Sequence, residues 1–574
     1  MKRIILTLSL LLAAVVYSTA HERTMSEMLA IAANQLNSAA NAKARQGGVQ
    51  AQDFRCISET PAYAVFEPEG SDAYVIVSKS DLTKAVIGYA EHPFKAEQMP
   101  PALSWYLKGV EQTILKAEAQ GKTLASAQAA YHTVEPFITT MWHQSSPFSD
   151  LTPNNYAAGC VAIAMAQCIN YRQYPATVKF RGYCSYLPNS SSTRYVIDSL
   201  DISSLYMYPF LDSYGRATDK QKKRVATLAR DCGYAALMQY TPSGSGAYSL
   251  NAAVALQEYF HYPEACVKYM HRVFTTDDEW YRIIYSELMN ESPVIMGAND
   301  KQAGGHAFIL CGIDEDGLVY VNWGWGADGD GYYAIDLMDV EDFSFKYNQE
   351  IVYGIRTTPL ATDIRRPRWS TLHGEFYTFQ LAIEEDSNHK PFRALHIVFK
   401  DGLENYTPTS LEGECGLFGQ DLTTGEAWQI TETDPVNWPA GSYIDLTEPE
   451  ALYYYNLEED LIPGHTYRMS FGTRDKIEGT WHSVLCQGGE IAYDLYYTGD
   501  INTSTISEVQ YITPIDAISA PTANTLADDG LTRVYDLQGR LLYTAPTASF
   551  NLWEVPARGI LVIKEGDKAR KVAR

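Results

Sequence analysis

The stretch at residues 157–175, AAGCVAIAMAQCINYRQYP, limits what this chain can fold into more than any other. The residues after Gly159 are mostly good helix formers, so the sequence predicts a helix whose first turn contains Cys160. Apolar residues occur on all faces of that helix, which is typical of a helix inside a domain. A thiol at the positive end of such a helix has a lowered pKa. The stretch therefore predicts a nucleophilic cysteine on a buried helix.

A lone buried cysteine is more often a small core residue than a nucleophile, so this interpretation needs a partner for the thiol. The sequence GGHAFIL at residues 304–310 predicts a buried strand, and a turn at residues 314–317 leads to a second strand that ends at Asn322. The hairpin should bring His306 and Asn322 to the same open end, within a residue or two. His306 follows Cys160 by 146 residues, inside the roughly 130–150 of papain-type enzymes. A thiol, an imidazole base and a third group that orients the ring form the expected catalytic unit.

The two motifs GCVAIAMAQ and GGHAF…VNWGWG resemble those of the streptopain family of papain-like cysteine peptidases. The resemblance implies that Cys160 is the nucleophile and His306 its base. It also implies that Gln144, in the sequence WHQ, donates its amide to the oxyanion hole. Asn322 and Trp323 are both candidates for orienting the imidazole, and the resemblance does not choose between them.

The same resemblance suggests where substrate binds. Ser245 lies in the Gly/Ser-rich turn TPSGSGAYS, and a similar turn contacts substrate in the family, although a plain surface loop is an equally good interpretation. Gly305, directly before the histidine, is the second candidate for substrate binding. In the family the cleft favours an apolar residue two positions before the scissile bond, so a similar specificity is expected here.

A smaller α+β unit is predicted ahead of the nucleophile. Residues 63–66, 74–78 and 86–89 have strand patterns, and residues 103–119 have helical periodicity. The segment AYVIVSKSDLTKAVIGYAEHPF resembles the propeptide of the streptopain family, which implies that a strand pair and a helix block the cleft. A merely structural domain is the alternative. The mature enzyme should begin between Gly121 and Thr133.

The N-terminal sequence MKRIILTLSLLLAAVVYSTA predicts a secretory signal peptide, cut after Ala20. A net charge of −24 argues against nucleic acid and anionic membranes as partners. Nine cysteines without close pairs do not form a disulfide scaffold, and no His/Cys cluster has metal-ligand spacing. Asp328 and Asp330 could suggest calcium, but a Gly/Asp turn explains them better. No metal and no cofactor is expected.

The C-terminal part has a different pattern. Short alternating strands separated by Gly and Pro predict an all-β immunoglobulin-like sandwich, serving adhesion, spacing or substrate docking. Residues 530–574, with VYDLQGR and a basic last strand, resemble the sorting module of the type IX secretion route, although GIL replaces the usual Gly-Ile-Tyr. The alternative is one more small sandwich.

The sequence thus predicts an α+β fold class with five parts. These are a signal peptide (1–20), an inhibitory propeptide (21–130), a papain-like peptidase domain (131–359), a β-sandwich (368–512) and a sorting module (530–574).

The predicted function is that of a secreted or cell-surface cysteine endopeptidase, made as a monomeric zymogen. It would act on protein or peptide substrates through a thioester acyl-enzyme, with its own propeptide as intramolecular inhibitor and no transmembrane segment. A catalytically silent adhesin that binds through the sandwich is the alternative from another class. Transpeptidation or amide hydrolysis of cell-wall peptides would use the same residues.

Overall fold

The computed structural model describes residues 22–38, 48–124, 131–187, 195–300, 304–338, 349–360, 377–385, 388–399, 402–429, 434–444, 453–456, 461–476, 481–486, 489–500, 502–511, 531–535, 541–546, 560–565 and 568–573. The predicted signal peptide and the centre of the linker before Thr133 lie outside these residues. The chain divides into two compact units, one of residues 1–359 with 365–512 and the other of residues 360–364 with 513–574.

The region before residue 124 corresponds to the predicted propeptide and is called the prodomain below after that prediction. It contains the predicted strands and helix and a further N-terminal helix. Its elements are α1 (Met25–Asn37), β1 (Phe54–Glu59), β2 (Tyr63–Pro68), β3 (Tyr74–Ser78), β4 (Val86–Ala90) and α2 (Pro101–Gln120). Thr24 and Glu27 form a capping box that starts α1, because each side chain binds the other's backbone amide. Gly121 ends α2 in the left-handed conformation at φ 60°.

The peptidase region follows from residue 131. Its elements are α3 (Cys160–Arg172), β5 (Thr177–Tyr186), β6 (Tyr195–Leu205), α4 (Asp219–Ala235), β7 (Gln239–Thr241), β8 (Gly244–Gly246), α5 (Ser249–Glu258), β9 (Lys268–His271), α6 (Asp277–Met289), β10 (Val294–Asp300), β11 (Gly304–Ile313), β12 (Val319–Asn322), β13 (Gly331–Tyr333) and β14 (Gln349–Tyr353).

One boundary differs from its prediction. The sequence predicts a helix over residues 219–232 that Gly233 ends, but the helix continues to Ala235. The ring of Tyr240 packs against the α-carbon of Gly233, where any side chain would collide with the tyrosine hydroxyl. Glycine is therefore needed there for close packing, and the helix tolerates it.

The prodomain and the peptidase region share one antiparallel sheet. In the described residues the strand order is β1-β2-β3-β4-β13-β12-β11-β10-β14-β9. The junction lies between β4 and β13, where Tyr89 pairs with Tyr332 and Gly88 with Tyr333. The prodomain thus extends the sheet that carries the histidine strand.

The two faces of this sheet carry separate hydrophobic cores. On β11, Phe308 and Leu310 belong to the core that contains α2 and α6. Ala307 and Ile309 belong to the other core, which contains α3, α4 and α5. This alternation is the period of two that an extended strand requires. The nucleophile helix and the prodomain helix α2 therefore pack on opposite faces of the same strand.

The described residues between 377 and 511 form strands and connections without a helix. The strands are β15 (Tyr377–Glu385), β16 (Pro391–Phe399), β17 (Leu403–Glu404), β18 (Leu411–Asp421), β19 (Ala427–Gln429), β20 (Asp434–Trp438), β21 (Tyr443–Ile444), β22 (Tyr453–Asn456), β23 (His465–Asp475), β24 (Trp481–Ser483), β25 (Leu485–Cys486), β26 (Gly489–Tyr497) and β27 (Thr505–Tyr511). An all-β region agrees with the predicted pattern, while the immunoglobulin-like topology stays a prediction.

The second unit contains its own antiparallel sheet, in the order β29-β28-β30-β31. Its strands are β28 (Leu531–Tyr535), β29 (Leu541–Pro546), β30 (Ile560–Glu565) and β31 (Lys568–Ala573). The sorting role of this segment stays a prediction as well.

Candidate active site

Cys160 is the first residue of α3, as the sequence predicts. Gly159 precedes it at φ 89°, a left-handed conformation that favours glycine, and a Cβ there would collide with Met238. The amide of Ala158 donates a 2.9 Å hydrogen bond to the carbonyl of Gln144. This bond ties the Gln144 segment to the turn that presents the thiol, so Gln144 and Cys160 lie at the same end of α3.

Cys160 and His306 line one cavity of about 560 Å³, together with Gly305. Ser245 lies between two glycines that also line this cavity, and its hydroxyl is buried without a hydrogen-bond partner among the described residues. The remaining lining residues are Val161, Leu237, Gln239, Thr241, Gly244, Gly246, Ala247, Tyr248, Ser249, Asn251, Ala298, Ala307 and Glu350. The tertiary structure thus brings the separated cysteine and histidine motifs to one cleft.

The electrostatics of the pair differ from the sequence expectation. Burial raises the pKa of the Cys160 thiol, while the backbone amides of Ala307, Val161 and Cys160 itself lower it in part. Burial also lowers the pKa of His306. Both shifts favour the neutral forms of the thiol and the imidazole. The expectation of a strongly lowered thiol pKa is wrong for this state.

Asn322 does not bind the imidazole in this conformation. Its Nδ2 donates to the carbonyl of Thr140 at 2.9 Å, and its Oδ1 accepts from Gln167 Nε2 at 3.2 Å and from the amide of Gly324 at 3.0 Å. Asn322 and Gln167 are both buried. The asparagine therefore fastens the turn after β12 to the nucleophile helix.

The strand register explains why the expected proximity fails. The tight turn between Asp314 and Leu318, with a bulge beyond Leu310, sets Asn322 opposite Ile309. His306 lies three residues further along β11, beyond the last residue of β12. Both residues therefore lie at the open end of the hairpin, as predicted, but they are offset by three residues rather than by one or two.

Trp323 is 1% exposed and belongs to the core on the prodomain side of the sheet. Its ring centroid is 4.7 Å from Phe308, 5.5 Å from Tyr333 and 6.1 Å from Tyr106 of α2. Its Nε1 donates to the carbonyl of Gly329 at 2.9 Å. In this state Trp323 connects the β11–β12 hairpin to the prodomain rather than stacking on His306.

The prodomain does not fill the cavity with its described residues, since the lining comes entirely from residues 160–350. Its contacts lie on the opposite side of the sheet. Tyr74 Oη and Tyr333 Oη are 2.6 Å apart, and Tyr106 Oη donates to the carbonyl of Ala334 at 3.0 Å. The predicted direct block of the cleft is therefore not seen in the described residues.

The two aspartates that could have suggested calcium are engaged elsewhere. Asp328 pairs with Lys95 of the prodomain at 2.6 Å. Asp330 is buried and accepts the backbone amide of Trp323 at 2.8 Å. No group of three or more potential metal ligands occurs in the described part of the chain.

Sequence reasoning missed several residues of the cavity wall. Leu237 and Gln239 come from a segment that carries no motif, whereas Tyr248 and Ser249 end the turn TPSGSGAYS, from which only Ser245 was predicted to bind substrate. Glu350 carried a signal, since it is an acidic residue next to the apolar residues IVY of the strand QEIVY, which is largely buried in the structure. A charged group in such a strand needs a partner or a function.

A buried helix that carries a cysteine, packed on a sheet that carries a histidine at the same cleft, is the arrangement of a papain-like cysteine peptidase. Residues 142–333 match the sequence model of the Peptidase C10 family. The chain belongs to this family, that of streptopain.

Curated relatives include two peptidases. The thiol protease/hemagglutinin PrtT of Porphyromonas gingivalis is 28% identical over 335 residues, which are 52% of this chain and 37% of PrtT. Streptopain of Streptococcus pyogenes is 27% identical over 292 residues, which are 46% of this chain and 72% of streptopain. The matched part thus spans little more than a third of PrtT.

Among solved structures, a fragment of prointerpain A from Prevotella intermedia is 33% identical, with a TM-score of 0.49. The match covers 53% of this chain and 99% of that fragment. Active interpain A from the same organism is 35% identical, with a TM-score of 0.36, and the match covers 40% of this chain and 98% of that structure.

Proposed function

We propose that the chain is a cysteine endopeptidase that is made as a zymogen and cleaves protein substrates. The observation that carries this proposal is the meeting of Cys160 and His306 at one cavity of about 560 Å³. The match of residues 142–333 to the Peptidase C10 family supports the same chemistry.

In the proposed reaction His306 takes the proton of the Cys160 thiol, and the sulfur attacks the carbonyl carbon of the scissile bond. The imidazolium then gives its proton to the leaving amine, which departs and leaves a thioester on Cys160. Water activated by the neutral imidazole hydrolyses the thioester and regenerates the thiol. The Gln144 side chain and the amide at the start of α3 would donate to the oxyanion, and one such donor typically contributes about 2.7–4 kcal/mol.

We further propose that the prodomain holds the enzyme inactive from the far side of the sheet. The prodomain strand β4 pairs with β13, and the prodomain residue Tyr106 packs on Trp323. Trp323 and β13 both come directly after the β11–β12 hairpin that carries His306. Removing the prodomain would free that end of the sheet and let the imidazole of His306 approach the thiol. Formation of the ion pair would then raise the pKa of His306 and lower that of Cys160.

Export by the N-terminal signal peptide, and sorting of the product by residues 530–574, complete the proposal. The described residues contain no helix with the length and hydropathy that a bilayer span needs. Normal release of a chain truncated before Leu531 into the medium would argue against the sorting role.

The catalytic proposal is tested with purified full-length chain that has been allowed to convert to its mature form, and with a peptidyl epoxide that alkylates active thiols. We expect one equivalent of label, hydrolysis of a protein substrate, and loss of both in Cys160→Ala. His306→Ala and Gln144→Ala should keep the native Tm and lose hydrolysis by about 100-fold or more.

Cys168→Ala is the matched control, because Cys168 lies two turns further on the same helix and is fully buried. It should keep both the label and the activity. Hydrolysis that persists in Cys160→Ala would refute the mechanism and favour the alternative of a silent adhesin that binds through its β-rich region.

A further inference from the structure

The wall of the catalytic cavity opposite the thiol carries a buried carboxylate. Glu350 on β14 is 8% exposed and lines the same cavity as Cys160. Tyr269 Oη donates a 2.5 Å hydrogen bond to its Oε2. The other oxygen, Oε1, has no donor among the described residues and is not among their fully enclosed polar atoms. One oxygen of a buried carboxylate is thus open to the substrate cavity.

The strand register sets the distance between this carboxylate and the nucleophile. Glu350 is opposite Gly297 on β10, and Gly297 is opposite Ala307 on β11. Neighbouring strands lie about 4.8 Å apart, so the α-carbons of Glu350 and Ala307 are about 10 Å apart. The amide of Ala307 is one of the groups that bind the thiol of Cys160. Glu350 therefore lies two strands away from the reacting sulfur, on the same face.

Gly297, which lies between Glu350 and Ala307 on three neighbouring strands, leaves room for the carboxylate. A Cβ on Gly297 would lie 2.8 Å from Glu350 Oε1. The hydroxyl of Ser249 comes closer still to that position, so any larger residue would displace both side chains. Glycine at position 297 therefore leaves room for Glu350 and Ser249 side by side on the wall of the cavity.

A single hydrogen bond from Tyr269 leaves the buried charge of Glu350 poorly compensated. Among the described residues, no arginine, lysine or histidine forms an ion pair with it. Burying an unpaired carboxylate costs free energy that a cation placed beside it recovers. Among the described residues the direct cross-strand neighbour of Glu350 on β9 is His271, and burial lowers the pKa of that imidazole to about 4, so it does not supply a positive charge at neutral pH. A cation supplied by the substrate would compensate the carboxylate instead.

We propose that Glu350 makes the cleft select a basic side chain, arginine above lysine, at the second residue before the scissile bond. This inference rests on the proposed peptidase function and names its substrate class. An extended peptide advances about 3.3 Å per residue, so that residue is the one whose long side chain spans the distance from the thiol to Glu350.

The walls of the cavity suit the rest of such a side chain. Ala298, Ala307 and Val161 offer small apolar surfaces along which a methylene stem packs. Arginine is preferred to lysine because its planar guanidinium presents paired N–H donors to a carboxylate oxygen and is less strongly hydrated. The resemblance to the family implied an apolar residue at this position, and the carboxylate of Glu350 is the reason to expect a different preference here.

The test uses the full-length chain and peptides that differ only at the second residue before the scissile bond, with arginine, citrulline or leucine. Citrulline matches the shape of arginine without its charge. We expect kcat/KM for the arginine peptide to exceed that for the citrulline peptide by at least about tenfold, which corresponds to about 1.4 kcal/mol. Glu350→Gln should reduce this ratio to near one. Glu258→Gln, an exposed acid on α5, is the matched control and should leave the ratio unchanged.

Measurements of peptide affinity distinguish a failure of this inference from a failure of the catalytic proposal. The affinities of the same peptides are measured with Cys160→Ala and with Cys160→Ala/Glu350→Gln. Tighter binding of the arginine peptide that depends on Glu350 supports the inference, even if the wild-type chain hydrolyses nothing and the catalytic proposal fails. Equal binding of arginine and citrulline peptides overturns it, whatever the activity. If Glu350→Gln has a lower Tm, Glu350→Asp keeps the charge on a shorter stem and should retain part of the preference.

Discussion

The residues around the cleft are of two kinds: some line the cavity where substrate would bind, and others stabilise the surrounding fold. Cys160, His306 and Glu350 line the cavity, whereas Asn322 and Trp323 bind other parts of the protein. The sequence pattern gave all of these residues except Glu350 a catalytic role. Motif position alone does not distinguish a group that touches substrate from one that positions a turn.

Replacing Asn322 by alanine should lower stability. The change leaves the buried Gln167 amide and the Thr140 carbonyl without a partner, which costs about 1–3 kcal/mol. Urea unfolding of the full chain measures this loss. Thr139→Ala, an exposed neighbour whose hydroxyl bonds only Asp212, should cost much less. An unchanged stability, with a shifted pH profile of kcat, would instead assign Asn322 to orienting the imidazole.

The buried carboxyl of Asp330 should make stability depend on pH. Burial raises its pKa to about 7, against the opposing hydrogen bond from the Trp323 amide. The folded chain therefore keeps a proton that the unfolded chain, with a pKa of about 3.9, has released. Because the folded state binds more protons in this window, the free energy of unfolding should fall as pH rises from about 4 to about 7.

Asp330→Asn keeps an oxygen for the Trp323 amide and removes the charge. We expect the variant to be more stable than wild type at pH 8, by at least about 1 kcal/mol, and no more stable at pH 4. Thermal unfolding at the two pH values checks this. Asp328→Asn, at a half-exposed carboxylate, should not reproduce the pattern, and equal effects of Asp330→Asn at both pH values would contradict it.

At the scale of elements, the helix α2 is the main contact between the prodomain and the histidine hairpin. Tyr106 is 1% exposed, packs on Trp323 and Tyr333, and donates to the carbonyl of Ala334. A buried aromatic ring in this position contributes about 3–5 kcal/mol when it is compared with alanine. Part of that free energy holds the prodomain on the sheet, since Tyr106 also donates to the carbonyl of Ile87 within the prodomain.

Tyr106→Ala should therefore weaken latency. We expect faster conversion to the mature form, or activity toward small peptides before conversion, measured as hydrolysis by freshly purified full chain. Leu115→Ala is the control on the same helix, because Leu115 is 38% exposed. A Tyr106→Ala chain that folds and stays as latent as wild type would argue against inhibition from this side of the sheet.

At the scale of the first unit, the β-rich region is more than an appended spacer. Tyr406 lies next to β17, and its ring centroid is 5.6 Å from Phe274 and 6.3 Å from His271 of the peptidase region. Thr409 Oγ1 donates to Gln257 Oε1 at 3.2 Å. These contacts adjoin β9, the strand that carries Tyr269, the partner of Glu350.

Tyr406→Ala should uncouple the two regions. We expect thermal unfolding to split into two transitions, or the first transition to move down by a few degrees, as about 1–3 kcal/mol of packing is lost. Differential scanning calorimetry of the full chain measures this. Tyr496→Ala, at a ring that is 45% exposed on β26, is the control and should change little.

Much of the prodomain and peptidase fold could be predicted, because strand and helix periodicity is local. The strand at residues 74–78 agrees with the prediction to the residue, and Cys160 lies in the first turn of α3 as predicted. The end of α4 could not be predicted. Glycine is needed at position 233 because Tyr240, from another element, packs closely on it, and not because the helix ends there.

The sequence by itself determined the chemistry of this protein, since Cys160 and His306 lie in local motifs whose neighbours identify them. Only the tertiary structure decided what surrounds that chemistry. The turn at Asp314 and the bulge after Leu310 shift Asn322 away from His306, and the pairing of β14 with β10 brings Glu350 into the cleft. Cross-strand register depends on turn geometry and on partners far along the chain, and a shift of even one residue changes which side chains meet.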